Sequence, residues 1–481
     1  MTRAFVPITA VEILILIVLT TTWVGAAGPS ASPSTSPATP VCKGLYRHKP
    51  VSPKTLEALV RSHERWLEYR GNPNAERMDL CHANLSRVVL AGANFERADL
   101  EGAVLRQAKL PQVNFAQASL AGADLTKAAV EDSNLSGADL RRARLNGANL
   151  SRTVGDETAL FDAVLVGAKL REASFERAHF EGADLTSADL TDGNFVEAHF
   201  YGATLKGAVL VNADLTSADL RRSVLTNANL HRAHLQGTLL DRAHMDGAHL
   251  VEADLESAYL DETMLRDAHL KEAILRGADL RYAGLHGADL RDADLEGANL
   301  EEAVLSKADM NSAKLRMAIL YRAVVDEADF MDANFNRAVL IGVTGSHANF
   351  MNADLSEMHA PKSSLQHAKF NRANLSSANF VGADLRGSDF SHSDMTNVNL
   401  QEANLEGTNL QNATLTGADM SGARLNASDL RLTNLKGAIL SSVIGLTQTQ
   451  LNAACVDNQT KLPSELTRPA PCNPAKKRTK P

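Results

Sequence analysis

Apolar residues recur along this chain at every fifth position. From Leu80 to Leu440, 70 of 73 such positions hold Leu, Phe, Met or Val, and only Gly155, Gly345 and Ala360 depart from the rule. Two residues earlier the position is nearly always Ala, with Ser, Thr or Gly as substitutes and Val88, Val113, Val343, Met358 and Val398 as larger exceptions. The residue just before the large one is often Asp or Asn, as in Ala123-Asp124-Leu125 and Ala148-Asn149-Leu150.

A period of five is neither the 3.6 of a helix nor the 2 of a plain strand. Strand geometry can still produce it, because residues two apart point to the same side and three further residues can turn a corner and restore the phase. Each pentad is then one short side of a coil, with one small and one large side chain facing in and three residues facing solvent. The phenylalanines count the sides. Twelve Phe occupy the large position, and ten have another Phe twenty residues away, among them Phe95 with Phe115 and the run Phe330, Phe350, Phe370, Phe390. Four pentads therefore make one turn, and like stacks on like. This places Leu125, Leu215, Leu235 and the Phe330–Phe390 run in an internal column, with Leu215 and Leu235 on one wall.

The stretch Leu80–Leu440, exemplified by ADLRDADLEGANL at 288–300, resembles the pentapeptide-repeat family with its A-(D/N)-L-x-x motif. The resemblance implies an all-β solenoid, a right-handed quadrilateral β-helix. Stacked at about 4.8 Å, roughly 18 coils would give a rod on the order of 85 Å long. Burying a Leu contributes roughly 1.5–3 kcal/mol, whereas ordering its pentad costs about 5–10 kcal/mol, so no coil stands alone and stacking supplies the balance. The open ends of such a stack need covering.

Outside the repeat the pattern changes. Between 51 and 73 it predicts one helix, with Ser52 as N-cap, Pro53 at the first helical position, and Gly71 and Pro73 as stops. Its apolar face carries Leu56, Leu59, Val60, His63, Trp66 and Leu67. At the other end Thr447 and Gln450 form a capping-box pattern opening a second short helix within 445–455. Both helices are expected to act as caps. Residues 1–27 combine Arg3, the apolar run Ile13–Leu19 and small residues up to Ala27, which reads as a signal peptide, or as a membrane anchor through residues 5–27. The Pro/Ser/Thr-rich stretch 28–41 is a linker, 42–79 an N-terminal helical cap, 80–445 the repeat, and 446–481 a short helix with a disordered basic tail.

Composition and charge narrow the function. The chain of 481 residues carries a net charge of −8, against a general nucleic-acid binder. Between 81 and 440 it has 34 Lys plus Arg against 49 Asp plus Glu. An acidic rod of this kind is similar to the gyrase-protecting branch of the family, which implies, as an alternative, a DNA mimic that binds a type II topoisomerase. No motif for a nucleophile elbow, a phosphate loop or a zinc site is present, so no enzymatic activity and no cofactor are expected. The stacked pairs His179 with His199 and His249 with His269 read as outward substitutes for Asn or Asp rather than as metal ligands. The four cysteines, Cys42, Cys81, Cys455 and Cys472, lie at the two ends, and in an oxidising compartment they invite pairing within each end. The irregular segments around Gly155 and from Val343 to Pro361 are expected to bulge or extrude a loop. The overall expectation is an exported, non-enzymatic binding or structural module, periplasmic or extracellular, acting on an unidentified protein partner.

Overall fold

The computed structural model describes residues 42–69 and 76–470. The chain divides into two units, Met1–Cys42 and Lys43–Pro481, and everything below except Cys42 belongs to the second. The signal or anchor at 1–27, the linker at 28–41, the stops Gly71 and Pro73, Cys472 and the basic tail lie outside the described residues.

From residue 79 onward each residue preceding a large apolar one pairs in parallel with the residue twenty positions later. The bridges run Asp79↔Asp99, Asn84↔Val104, Val89↔Lys109, Asn94↔Asn114 and on, without interruption, to Arg424↔Ile444. Twenty residues thus make one four-sided coil, and we number its walls by their large residues: wall 1 contains Leu80 and Leu100, wall 2 Leu85 and Leu105, wall 3 Leu90 and Leu110, wall 4 Phe95 and Phe115. Each wall is three residues wide, so the pairing consists of isolated bridges rather than of the longer strands that an all-β solenoid suggests.

Backbone hydrogen bonds account for the motif almost residue by residue. In the pentad around Leu100, the Asp99 amide donates to Met78 O one coil back, and the Leu100 and Gly102 amides donate to Ser119 O and Ala121 O one coil on. The Ala103 amide closes the corner onto Leu100 O. One amide remains, that of Glu101, and it donates to the Asp99 side chain at 3.1 Å. The same Asx turn recurs at Asp124 with Thr126, Asn149 with Ser151 and Asp214 with Thr216. Asp or Asn precedes the large residue because its oxygen accepts the one N–H the coil leaves over. These residues are consequently half-buried, and Asp99, Asp124 and Asp294 are buried outright, which corrects the expectation that all three outward positions are freely solvated.

Inside, Leu125, Leu215, Leu235, Phe330, Phe350, Phe370 and Phe390 are all at most 1% exposed. Leu215 donates to His234 O and so sits directly below Leu235 on wall 4. The phenylalanine rings stack with centroids 4.9 Å apart for Phe330–Phe350 and Phe350–Phe370 and 4.7 Å for Phe370–Phe390, which is the spacing between coils. Where Ser or Thr replaces the small Ala, the buried hydroxyl donates to a corner carbonyl, as Thr158 does to Leu135 O and Ser223 to Leu220 O. That removes the penalty for burying it.

The expected irregularities do not bulge. Val154↔Ser174 and Thr344↔Ser364 continue the ladder past Gly155 and Gly345. A Cβ on Gly155 would lie 2.2 Å from the Phe175 ring, so the missing side chain is the space that the neighbouring coil's Phe fills. Pro361 occupies the first corner position, whose N–H takes no part in the ladder, and its carbonyl still accepts from Gly342. Proline therefore breaks nothing there.

At the N-terminal end, α1 (Pro53–Glu68) starts at Ser52, whose hydroxyl accepts from the Thr55 amide. It buries Leu56, Val60 and His63. The chain just before it pairs with the first coil through Arg47↔Ala83 and Pro50↔Asn84. At the other end α2 (Gln448–Ala453) opens on the Thr447/Gln450 capping box. After it, Cys455 and Lys461 add bridges to Asn434 and Ile439, so ladder pairing runs beyond residue 445. Among the described residues no helix is long and apolar enough to cross a membrane.

Candidate binding faces

Since the interior is filled by one repeated pair of side chains, whatever chemistry the molecule performs lies on four outer walls and four corners. Every fifth residue from 82 to 437, the second residue of each corner, has positive φ. Glycine suits that conformation, yet most of these residues are not glycine: Arg142, Asp192, Tyr282 and Met317 are examples. Each such side chain projects from the molecule at a conformational cost of roughly 1 kcal/mol. The sequence signal for this position was the fifth-residue recurrence of glycine at Gly92, Gly102, Gly122 and beyond.

Part of the charge on the walls is neutralised locally. Where Arg follows Asp by two residues it closes a two-pronged pair on it: Arg281 Nε and Nη2 lie 2.8 and 2.7 Å from Asp279 oxygens, and Arg291 repeats this on Asp289 at 2.7 and 2.6 Å. Other pairs bridge successive coils, such as Arg152 with Asp132 and Arg242 with Glu262. Asn349 and Asn409 donate down their columns to Asp329 and Asp389. The Arg291 pair holds the Asp289 carboxyl below the usual range, and a like pair from Arg386 at 2.9 and 2.7 Å does the same for Asp384.

The histidines fall where the sequence placed them. His179 stacks on His199 at 4.8 Å and also on Phe161, and His249 stacks on His269 at 4.6 Å. A third pair, His347 with His367 at 5.2 Å, stacks at a corner and was not anticipated. His179, His199, Glu157, Arg177, Glu197 and Ser217 line an open hollow. A hydrogen bond from His179 Nδ1 to the Glu181 carboxylate raises the His179 pKa, whereas burial and the neighbouring His269 lower that of His249. Rings stacked face to face direct their nitrogens side by side rather than at a common point, which suits a ladder better than a metal. Cys42, Cys81 and Cys455 are each disulfide-bonded and present no thiolate.

His63 is a different case. It is fully buried between α1 and the first coils, its Nδ1 accepts the Met78 amide at 3.0 Å, and its Nε2 lies 2.7 Å from Glu96 O. Those partners require the neutral ring with its proton on Nε2. Burial lowers its pKa accordingly.

Comparison with known proteins fits this geometry. A family model described as pentapeptide repeats matches residues 74–325, 328–359 and 363–442. Among solved structures, HetL, a pentapeptide repeat protein involved in heterocyst differentiation regulation from Nostoc sp. strain PCC 7120, is 33% identical over 48% of this chain and 88% of its own, with a TM-score of 0.19. Rfr23, a pentapeptide repeat protein from the cyanobacterium Cyanothece 51142, is 32% identical over 21% of this chain and 63% of its own, with a TM-score of 0.18. QnrB1, a plasmid-mediated fluoroquinolone resistance protein, is 19% identical over 36% of this chain and 85% of its own, at a TM-score of 0.25. No curated protein matches.

Proposed function

Because the chain belongs to the pentapeptide-repeat family, we propose that it is a non-enzymatic binding or structural module that recognises a protein partner through the regular outer faces of its β-helix. The observation that carries this reading is the unbroken ladder from Asp79 to Ile444, which fixes outward side chains in rows one coil apart and leaves the interior no room for chemistry. In this reading α1 and α2 are caps that cover the last unpaired edges, and disulfides Cys42–Cys81 and Cys455–Cys472 pin each cap to its own end. The module is exported, with residues 1–27 as signal or anchor and 28–41 as the tether. The ion pairs of Asp279, Asp289, Asp384 and Asp429 with Arg281, Arg291, Arg386 and Arg431 intersperse cations among the wall carboxylates, which supports this reading over an acidic DNA mimic.

The test is the mature N-terminus together with cell fractionation. A chain beginning near Ala27 outside the cytosol is expected. An intact chain in the cytosol overturns the export reading and favours the mimic.

A further inference from the structure

Arranged in rows of twenty, the outward residues of walls 1 and 2 depart from the Asp/Asn rule at several neighbouring coils, with Asp279 and Asn299 keeping to it on wall 1 and Gly284 lying between Met264 and Val304 on wall 2. Wall 1 carries Leu239, Tyr259, Ile319 and Val339, and wall 2 carries Met264, Val304 and Val324. The corner between these walls adds Tyr201, Tyr282, Tyr321 and Ile341. All four tyrosines of the repeat are thus on this edge. Tyr259 is 49% exposed, Met264 and Tyr282 47% and Val304 39%, although each belongs to a perfectly ordered coil.

Stability of the coil does not ask for these residues. Tyr259 and Val304 stand where Asp or Asn would supply the Asx acceptor, and they supply none. β-Propensity could account for the valines, but not for a tyrosine on a corner: Tyr282 has φ +58, a conformation that disfavours a bulky side chain. Side chains kept against the local structural preference, exposed and grouped on one edge, are the signature of a contact surface. Tyrosine is suited to it, offering large apolar area, few rotors and a polar tip.

Charge identifies the partner. The same corner holds Asp241, Asp261, Glu262, Glu301 and Glu302. Glu262 is paired with Arg242, and Glu302 lies 3.8 Å from Arg322. Asp241, Asp261 and Glu301 form no ion pair among the described residues, although Arg221 acts electrostatically on Asp241 and Arg281 on Asp261 and Glu301, and one oxygen of Asp261 is buried with no hydrogen bond there. An aromatic and aliphatic strip whose corner carries five carboxylates against Arg242, Arg281 and Arg322 is complementary to a segment that is apolar on one side and cationic along its margin.

We propose that the wall 1/wall 2 edge from Tyr259 to Ile341 is a docking surface for a cationic amphipathic helix of a partner protein, laid along the coil axis. Turns of a helix recur at about 5.4 Å, close to the spacing of about 4.8 Å between coils, so successive apolar residues of the helix can meet successive rungs. This rests on the reading of the molecule as a binding module and goes beyond it by naming the face and the partner's chemistry.

The experiment uses the full chain and three probes: a fluorescent 18-residue amphipathic Leu/Lys peptide, the same peptide with Glu in place of Lys, and vesicles of anionic phospholipid. The Leu/Lys peptide is expected to bind in the micromolar range and the other two not to bind. The variant Tyr259→Asn, Tyr282→Gly, Val304→Asn removes the apolar strip without changing charge and should weaken peptide binding at least tenfold. Glu301→Gln with Asp261→Asn should weaken it about threefold to tenfold. A matched wall 3 variant, Asp289→Asn with Asp309→Asn, should leave it unchanged. Equal binding by the apolar-strip variant overturns the proposal, as does equal binding of the Glu peptide or preferential binding of the vesicles. Loss through the wall 3 variant alone overturns this edge while keeping a binding module. No effect from any outer-wall variant counts against the module as well.

Discussion

At the height of Tyr259 to Asp354 the four walls of one solenoid carry different chemistries. Walls 3 and 4 hold His269, Asp289, Asp309, Asp329 and Asn349, and Asp254, Ile274, Asp294, Lys314, Asn334 and Asp354; walls 1 and 2 over the same coils hold Tyr259, Asp279, Asn299, Ile319 and Val339, and Met264, Gly284, Val304, Val324 and Thr344. On the first pair the outward side chain is spent on structure: Asp309 accepts both the amide and the side chain of Asn311, and Asn334 accepts the amide of Asn336. On the second pair Asp279 and Asn299 keep that role, accepting the amides of Arg281 and Glu301, but elsewhere it is abandoned or passed to another residue. At Met264 the amide of Arg266 is met instead by Asp246 of the preceding coil, and at Thr344 the amide of Ser346 by Asp326. The large inward residues are buried on all four walls, with Phe330, Phe335 and Phe350 on walls 3 and 4 only, and the contrast lies in the outward residues. It separates residues that build the coil from residues that the coil displays.

The largest effect expected is one that ignores the contrast. Phe350→Ala, taken from the middle of the Phe330–Phe390 stack, should destabilise by about 3–5 kcal/mol, measured by denaturant unfolding. Loss of no more than about 1 kcal/mol would mean that the column is not packed as described. Gly155→Leu, which restores the repeat on paper, should instead destabilise by about 1–3 kcal/mol or more, because the new side chain enters the space of Phe175. A stabilised variant would bring back the bulged coil.

Next in size is the polar rule itself. Asp309→Val on wall 3 removes the acceptor for Asn311 and should cost about 0.5–1.5 kcal/mol, whereas Val304→Asn on wall 2 should cost nothing or gain a little. Equal losses on the two walls would erase the distinction between them. The smallest effects are those of pH, and they carry opposite signs at two histidines. His63 has a lowered folded pKa, so its contribution is complete above the ordinary histidine value of about 6.5 and declines as the pH falls below it. His179 has a raised pKa, so its contribution is present below that value and is lost as the pH rises through the folded pKa. Trp66 stacks on His63 at 5.4 Å and reports the first directly. In a Trp23→Phe chain its fluorescence should change as the pH falls below about 6.5, and His63→Gln should flatten that change.

How much of this could be read without coordinates depends on where the determining contact lies. The four-walled winding was legible because the large apolar position repeats every five residues and Phe every twenty. Ser52, Pro53, Thr447 and Gln450 marked the two helices because capping is local. The corner conformation was harder to read, since Arg142 or Asp192 at a positive φ carries no local sign of it. Gly155 looked like a defect because its complement, Phe175, is a full coil away. The reason for Asp or Asn before each large residue also escaped, because it lies in one leftover amide that only the complete accounting of backbone partners exposes. The apolar edge appears only when the sequence is folded into rows of twenty and each outward residue is compared with its neighbours on the other walls.

The account turns on the claim that the exposed residues of walls 1 and 2 are retained for contact rather than for the coil, and the thermal unfolding of the Tyr259→Asn, Tyr282→Gly, Val304→Asn variant tests it most directly. Restoring the motif's own residues should leave the midpoint at or above that of the parent protein. A clearly lower midpoint would show that the apolar edge holds the solenoid together, and would contradict the claim.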